Sequence, residues 1–344
     1  MEAINANLPT IWLVLVGFFL LYYVLTDGAD LGIGMLTLFT SEPAEKKLMM
    51  NSIHSFWHGN QTWLVILGGM LFGAFPLFYS IVLSALYIPL ILMLFGFIFR
   101  GVAFEFYDNA VWKPIWLVSF GVGSVLATLG QGFALGGLLG GITVRMETFA
   151  GRPDDWLNWY SLVATAGVVA GYLMLGASFL IIRTEGPLQE RGYRIASVAG
   201  LVTAVVSALI YIATTLIHPA MAARWLFLGE SVWPSILLYL FLILAIGAFA
   251  MYFRSIRRKF QITPFFWNCL IVIFSFIGLS FGLYPAMIPS VESAALTVDQ
   301  VAASPTTLRF MLVVTLILLP IILVYTTYTY WIFRGKVTEE DDYG

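Results

Sequence analysis

NSIHSFWHGNQTWLVILGGMLFGAFP (Asn51–Pro76) is apolar over most of its length, but its first half is interrupted by His54, Trp57, His58, Asn60 and Gln61. The run before it contains YYVLTDGADLGIG (Tyr22–Gly34), and of the 19 acidic residues only Asp27 and Asp30 fall deep inside a stretch able to span a bilayer. The remaining charges are expected in or near connections. An ionised side chain at mid-bilayer costs about 2.5 to 3.5 kcal/mol on insertion scales, so intramembrane ionisable groups mark functional candidates.

The rest of the chain is the frame around these two segments. Hydrophobic residues make up 60% of 344, charged residues 10%, and mean hydropathy is +0.91, which excludes an ordinary soluble domain. A crossing needs about 20 apolar residues. That measure gives nine transmembrane helices, at 8–39, 50–76, 79–104, 115–140, 157–183, 193–218, 232–253, 265–288 and 307–333. The fold class is therefore an all-α integral membrane protein forming a single membrane domain over 1–344. Net charge is −2, too balanced to imply a nucleic-acid partner.

Charge parity orients the chain. Connections after the first, third, fifth and seventh spans, with the C-terminal tail, hold 13 of the 17 Lys and Arg; the alternate connections hold 4. The positive-inside rule then puts the N-terminus outside and the C-terminus in the cytoplasm. Setting YVLTDGADL (Tyr23–Leu31) against YLMLGASFL (Tyr172–Leu180) suggests a parallel repeat of two four-helix bundles, 8–140 and 157–288, plus a peripheral helix at 307–333.

Counted from the turn at Pro43, Asp27, Asp30, His54 and His58 share a membrane level. Asp27 and Asp30 are spaced i, i+3, and His54 and His58 i, i+4, so each pair occupies one helical face and the faces are expected to meet as a carboxylate–imidazole cluster. Three uses of that cluster stand open: proton or ion conduction, structural pairing of the carboxylates with His54, His58 or Asn60, and a metal or haem site. No third firm metal ligand is apparent, so no metal is assigned. Trp57 lies beside His58. Arg100, Glu105 and Asp108 gather at the end of the third span, as a proton inlet or as an interfacial anchor. The glycines at 130, 132, 136, 137, 140 and 141 mark close helix contact, the default, or room for an apolar ligand. One cysteine, Cys269, and three histidines are too few for several haems or an iron–sulfur cluster. A secondary transporter with an Asp/His coupling site competes at this level.

DGADLGIGML (Asp27–Leu36), NSIHSFWHGNQTWLV (Asn51–Val65), GGMLFGAFPLFYS (Gly68–Ser80), FIFRGVAFEF (Phe97–Phe106) and YPAMIPSVESAALTVDQVAASPTTL (Tyr284–Leu308) resemble, in order, subunit II of the cytochrome bd-type quinol oxidases, including the cyanide-insensitive branch. The resemblance implies a haem-free subunit of an enzyme that oxidises membrane quinol and reduces dioxygen to water. Subunit I would carry the b-type haems and haem d. It also implies a proton pathway through Asp27, Asp30 and the residue after Trp57, although many relatives have an acidic residue where His58 stands. A structural quinone and a small single-helix subunit are further companions the family allows, in a bacterial cytoplasmic (inner) membrane or a thylakoid.

Overall fold

The structure, a computed structural model, describes residues 2–227, 232–290 and 294–337. Positions 291–293 of the Tyr284–Leu308 segment and the tail after 337 lie outside the described residues. In chain order the elements are α1 (Glu2–Thr37), α2 (Pro43–His54), α3 (Trp57–Ala74), α4 (Pro76–Ala85), α5 (Tyr87–Phe106), α6 (Lys113–Gly140), β1 (Val144–Arg145), β2 (Thr148–Phe149), α7 (Trp159–Arg183), α8 (Gly186–Ile217), α9 (Pro219–Trp225), α10 (Trp233–Arg257), α11 (Thr263–Leu283), β3 (Ala286–Ile288), β4 (Leu296–Thr297), α12 (Val298–Val301) and α13 (Pro305–Ile332). Among the described residues eight helices are long and apolar enough to cross a membrane, or up to nine with the bent pair α3 and α4.

The expected second and third spans are where sequence and structure part. Residues 50–76 do not form one helix: α2 ends at His54, Ser55 and Phe56 make a turn, and α3 starts at Trp57. Phe56 is buried there and stacks on Tyr330 of α13, with ring centroids 4.5 Å apart. At the other end of α3, Phe75 leaves helical geometry (φ −134, ψ 63) just before Pro76, and α4 sets off at 119° to α3. Proline disfavours helical backbone in the residue before it and contributes no N–H, so the chain bends at that point. The third crossing accordingly begins at Tyr87 rather than at 79.

Glycines set the closest approaches. A Cβ on Gly32 would lie 1.8 Å from the Tyr172 carbonyl oxygen, and one on Gly176 would lie 2.5 Å from the Gly32 carbonyl carbon, so α1 and α7 meet backbone to backbone. A Cβ on Gly96 would sit 2.3 Å from Ala127 N, which brings α5 equally close to α6. Small residues at such crossings are how helices associate where lipid provides no hydrophobic drive. The glycine-rich α6 uses Gly132 and Gly136 in the same way, against Thr165 and Ser161 of α7.

The end of α13 is tied down by polar contacts. Tyr330 Oη donates to Asn60 Oδ1 (2.9 Å), and the Arg183 guanidinium at the end of α7 donates to the carbonyls of Phe333 and Gly335. Lys336 donates to the Ile181 and Thr184 carbonyls, 3.2 and 2.9 Å away, so cations gather at the carbonyl end of α7 where its dipole favours them.

Candidate functional site: a buried carboxylate–guanidinium chain

Asp27 and Asp30 lie one turn apart on α1 and are 0% and 1% exposed, as the spacing anticipates. Their cationic partner is Arg100, also 0% exposed. Arg100 Nη1 donates to Asp27 Oδ1 at 2.7 Å, and Nη2 stands 3.5 Å from Asp30 Oδ2. The expectation that Arg100 groups with Glu105 and Asp108 at the helix end is therefore corrected. Side chains on a helix tilt towards its N-terminus, and six residues of α5 follow Arg100, so the long stem reaches back into the bundle. The Gly96–Gly123 crossing sits one turn earlier, and a Cβ on Gly123 would be 2.8 Å from Arg100 N.

A hydrogen-bonded chain extends from this pair in both directions. On one side Asn60 Nδ2 donates to Asp30 Oδ2 (2.8 Å), and Asn60 in turn accepts from Tyr330. On the other, Tyr23 Oη donates to Asp27 Oδ2 (3.0 Å), Gln131 Nε2 to Tyr23 Oη (2.7 Å) and Tyr172 Oη to Gln131 Oε1 (2.6 Å). The chain thus draws on α13, α3, α1, α5, α6 and α7. The Tyr172 ring reaches Gln131 by lying over Gly28, where a Cβ would be 2.8 Å from Cε1. Arg100 Nε and Nη2 are buried without a hydrogen-bond partner among the described residues. One guanidinium faces two carboxylates, so the group is electrically neutral only when one carboxyl carries a proton. An uncompensated buried charge is costly, so the three groups are energetically interdependent.

The histidines do not join this group. His58 is on the surface, its side chain 74% exposed and its Nε2 3.6 Å from Glu105 Oε1. His54 sets its ring against Phe104 (5.5 Å between centroids), and partial burial holds its imidazole below the ordinary range while Asp108 and Glu105 pull the other way. The expected carboxylate–imidazole cluster is thus two groups. The i, i+4 rule needs one continuous helix, and the break at Ser55–Phe56 puts His54 and His58 on different elements. Trp57 stacks on Phe104 at 4.8 Å and on His58 at 3.7 Å, and its indole covers Gly101, the residue after Arg100. It therefore lies between the surface acids and the buried pair.

Tyr23, Gln131, Tyr172 and Tyr330 are members of the buried group that the sequence reading does not include. Gln131, a lone amide within the apolar α6, is the one that carried a signal. Next to Asp30 a cleft of about 260 Å³ opens between α1, α7, α11 and α13, lined by Tyr22, Thr26, Phe179, Phe265 and Tyr330 among others. No histidine lines it, and His218 is bonded through Nε2 to the Leu139 carbonyl (2.6 Å). Among the described residues no three His, Cys, Asp or Glu side chains form a metal-sized group.

The family model for cytochrome bd terminal oxidase subunit II matches residues 8–333, nearly the whole chain and every member of the buried group. The chain belongs to that family. It is 31% identical over 364 residues to the cytochrome bd-I ubiquinol oxidase subunit 2 of Escherichia coli K12, covering 96% of this chain and 95% of that relative. It is also 28% identical over 345 residues to the cytochrome bd ubiquinol oxidase subunit 2 of Bacillus subtilis 168, covering 98% of each. The fold is shared with a chain of the bd oxidase structure from Geobacillus thermodenitrificans, at a TM-score of 0.76 and 16% identity over 95% of this chain and 98% of that one. As a bd oxidase subunit II, the chain is a multi-span membrane component of an oxidoreductase complex, whose partner is subunit I. The transporter reading is not favoured.

Proposed function

We propose that this chain is the haem-free subunit II of a bacterial quinol:oxygen oxidoreductase that reduces dioxygen to water, supporting assembly of subunit I and contributing a proton pathway. It would lie in the cytoplasmic membrane with the N-terminus outside and the C-terminus inside, as the 13-to-4 distribution of basic residues implies. The electron and oxygen chemistry belongs to the b-type haems and haem d on subunit I, with ubiquinol the donor named for the relatives. What this chain's residues do is hold protons and charge inside the bilayer. A structural quinone, if carried on this chain, would have the aromatic cleft beside Asp30 as its seat.

The observation that carries the proton reading is the two carboxylates on one guanidinium within a continuous buried hydrogen-bond chain. Asp27, held by a 2.7 Å charge-assisted bond and by Tyr23, is the fixed counter-ion; Asp30, with its longer approach to Arg100, is the proton carrier. The surface group of His54, His58, Glu105 and Asp108 is the collecting site, with Trp57 between.

Asp30→Asn is expected to lower oxidase turnover by about tenfold or more, a modest loss for a proton-transfer group, while the haem content of the purified complex stays near that of the wild type. Equal loss of turnover and haem would assign the pair to packing instead. His58→Asp is expected to assemble fully and retain most activity, because the side chain is exposed and its contact with Glu105 is long. A carboxylate there carries charge when unloaded, not when loaded, so the pH profile of turnover should change shape. A fully assembled but inactive variant would remove His58 from any simple relay.

A further inference from the structure

We infer that the end of α10 carries a binding site for the headgroup of an anionic phospholipid, formed by Arg254, Arg257 and Arg258. The three residues follow the i, i+3, i+4 spacing that places side chains on one face, and together with Ala250 and Phe253, all on α10 and its C-cap, they line an open surface depression of about 440 Å³. All three are exposed. None makes an ion pair or a side-chain hydrogen bond among the described residues.

Several neighbouring cations are spent within the chain, although exposed Arg194 is not, so what sets the three arginines apart is their convergence on one face. Lys259, the next residue, is paired with Glu190 at 2.8 Å, and Arg191 is paired with Glu45 at 2.7 Å. Arg183 and Lys336 are spent on backbone carbonyls. Cations at a helix C-terminus are favoured by its dipole, and basic residues gather on the cytoplasmic side of any membrane protein. Neither tendency accounts for three guanidinium groups around one depression without a carboxylate. A phosphodiester does, because its oxygens match the guanidinium fork and one phosphate can bridge several arginines. The apolar part of the lining fits the same ligand. Ala250 lies a turn into the membrane from Arg254, and Phe253 beside it offers a surface for an acyl chain. Basic pockets at this level of a membrane protein are suited to anionic headgroups.

The test uses the intact complex, purified through a tag on this chain, stripped of lipid with detergent and examined by native mass spectrometry with dioleoyl phosphatidylglycerol or dioleoyl phosphatidylcholine added. The wild type is expected to retain phosphatidylglycerol preferentially. The Arg254→Gln, Arg257→Gln, Arg258→Gln triple variant is expected to lose that affinity by roughly tenfold or more, with phosphatidylcholine unaffected. A triple lysine variant, which keeps the charge, should retain most of the preference and shows that the glutamine result is not a folding failure. Undiminished phosphatidylglycerol binding in the glutamine variant would overturn the site. So would complete displacement of the lipid by millimolar inorganic phosphate, which would mark a free-anion site. A photo-crosslinker at position 254 that captures another protein subunit instead of lipid would overturn it as well.

Discussion

Arg100→Met is expected to abolish recovery of the intact complex. The substitution leaves Asp27 and Asp30 facing each other in a site that is 0% and 1% exposed, with no cation to answer them. Removing one partner of a buried ion pair typically costs about 3 to 5 kcal/mol, comparable to the whole stability of many domains. Protonation of both carboxyls would lower that cost but would leave the Tyr23 and Asn60 donors facing weaker acceptors. Arg100→Lys should fall between, since an ammonium is a point charge and cannot reach Asp27 and Asp30 with separate nitrogens. Combining Arg100→Met with Asp27→Leu and Asp30→Leu is expected to recover more complex than Arg100→Met alone, because an apolar replacement of a whole buried cluster is often tolerated. The yield of tagged complex per unit of membrane and its thermal midpoint read all three. Wild-type yield from Arg100→Met would mean that the guanidinium is not the counter-ion described above.

Gly32→Ala is expected to be nearly as damaging, through sterics alone. Its new methyl would sit 1.8 Å from the Tyr172 carbonyl oxygen, with Gly176 N at 2.9 Å. Both are backbone atoms, so no rotamer change relieves the overlap and the two helices must separate. Overpacking in a well-packed core costs about 1 to 3 kcal/mol, and a backbone collision belongs at or above the top of that range. Gly171→Ala, on α7 with nothing within 4 Å of the added carbon, supplies the control. It should be neutral or stabilising by up to about 1 kcal/mol, as alanine is the better helix former. Thermal unfolding of the two variants side by side separates a contact requirement from a general intolerance of change in glycine-rich helices. Equal behaviour would refute the close crossing.

Much of this architecture is legible in the sequence because the bilayer imposes a length on every apolar run. The helices at 113–140, 159–183, 233–257 and 305–332 fall within a few residues of where hydropathy puts them. Asp27 and Asp30 stand out because carboxylates in such runs are rare. The errors have specific causes. Pro76 is present in the sequence, but the apolar residues on both sides of it conceal a change of direction. The turn at Ser55–Phe56 contains neither glycine nor proline, so the His54–His58 stretch reads as one continuous helix when it is two elements. Sequence position puts Arg100 near a helix end, whereas its reach depends on the direction in which the side chain leaves the backbone. Tyr23, Tyr172 and Tyr330 are three of 16 tyrosines, and nothing local distinguishes those that point inward to a carboxylate or an amide.

The backbone contact between α1 and α7 has a mechanical consequence. Gly32 and Gly176 leave no side-chain layer between the two helices, so they behave as one rigid axle, with Asp27 and Asp30 on one strut and Tyr172 on the other. Elements locked in this way cannot slide past each other to open and close a passage. On the proton reading proposed above, charge along the axle would move by rotation of hydroxyl and carboxyl groups within the hydrogen-bonded chain, as in a fixed wire and not as in a piston.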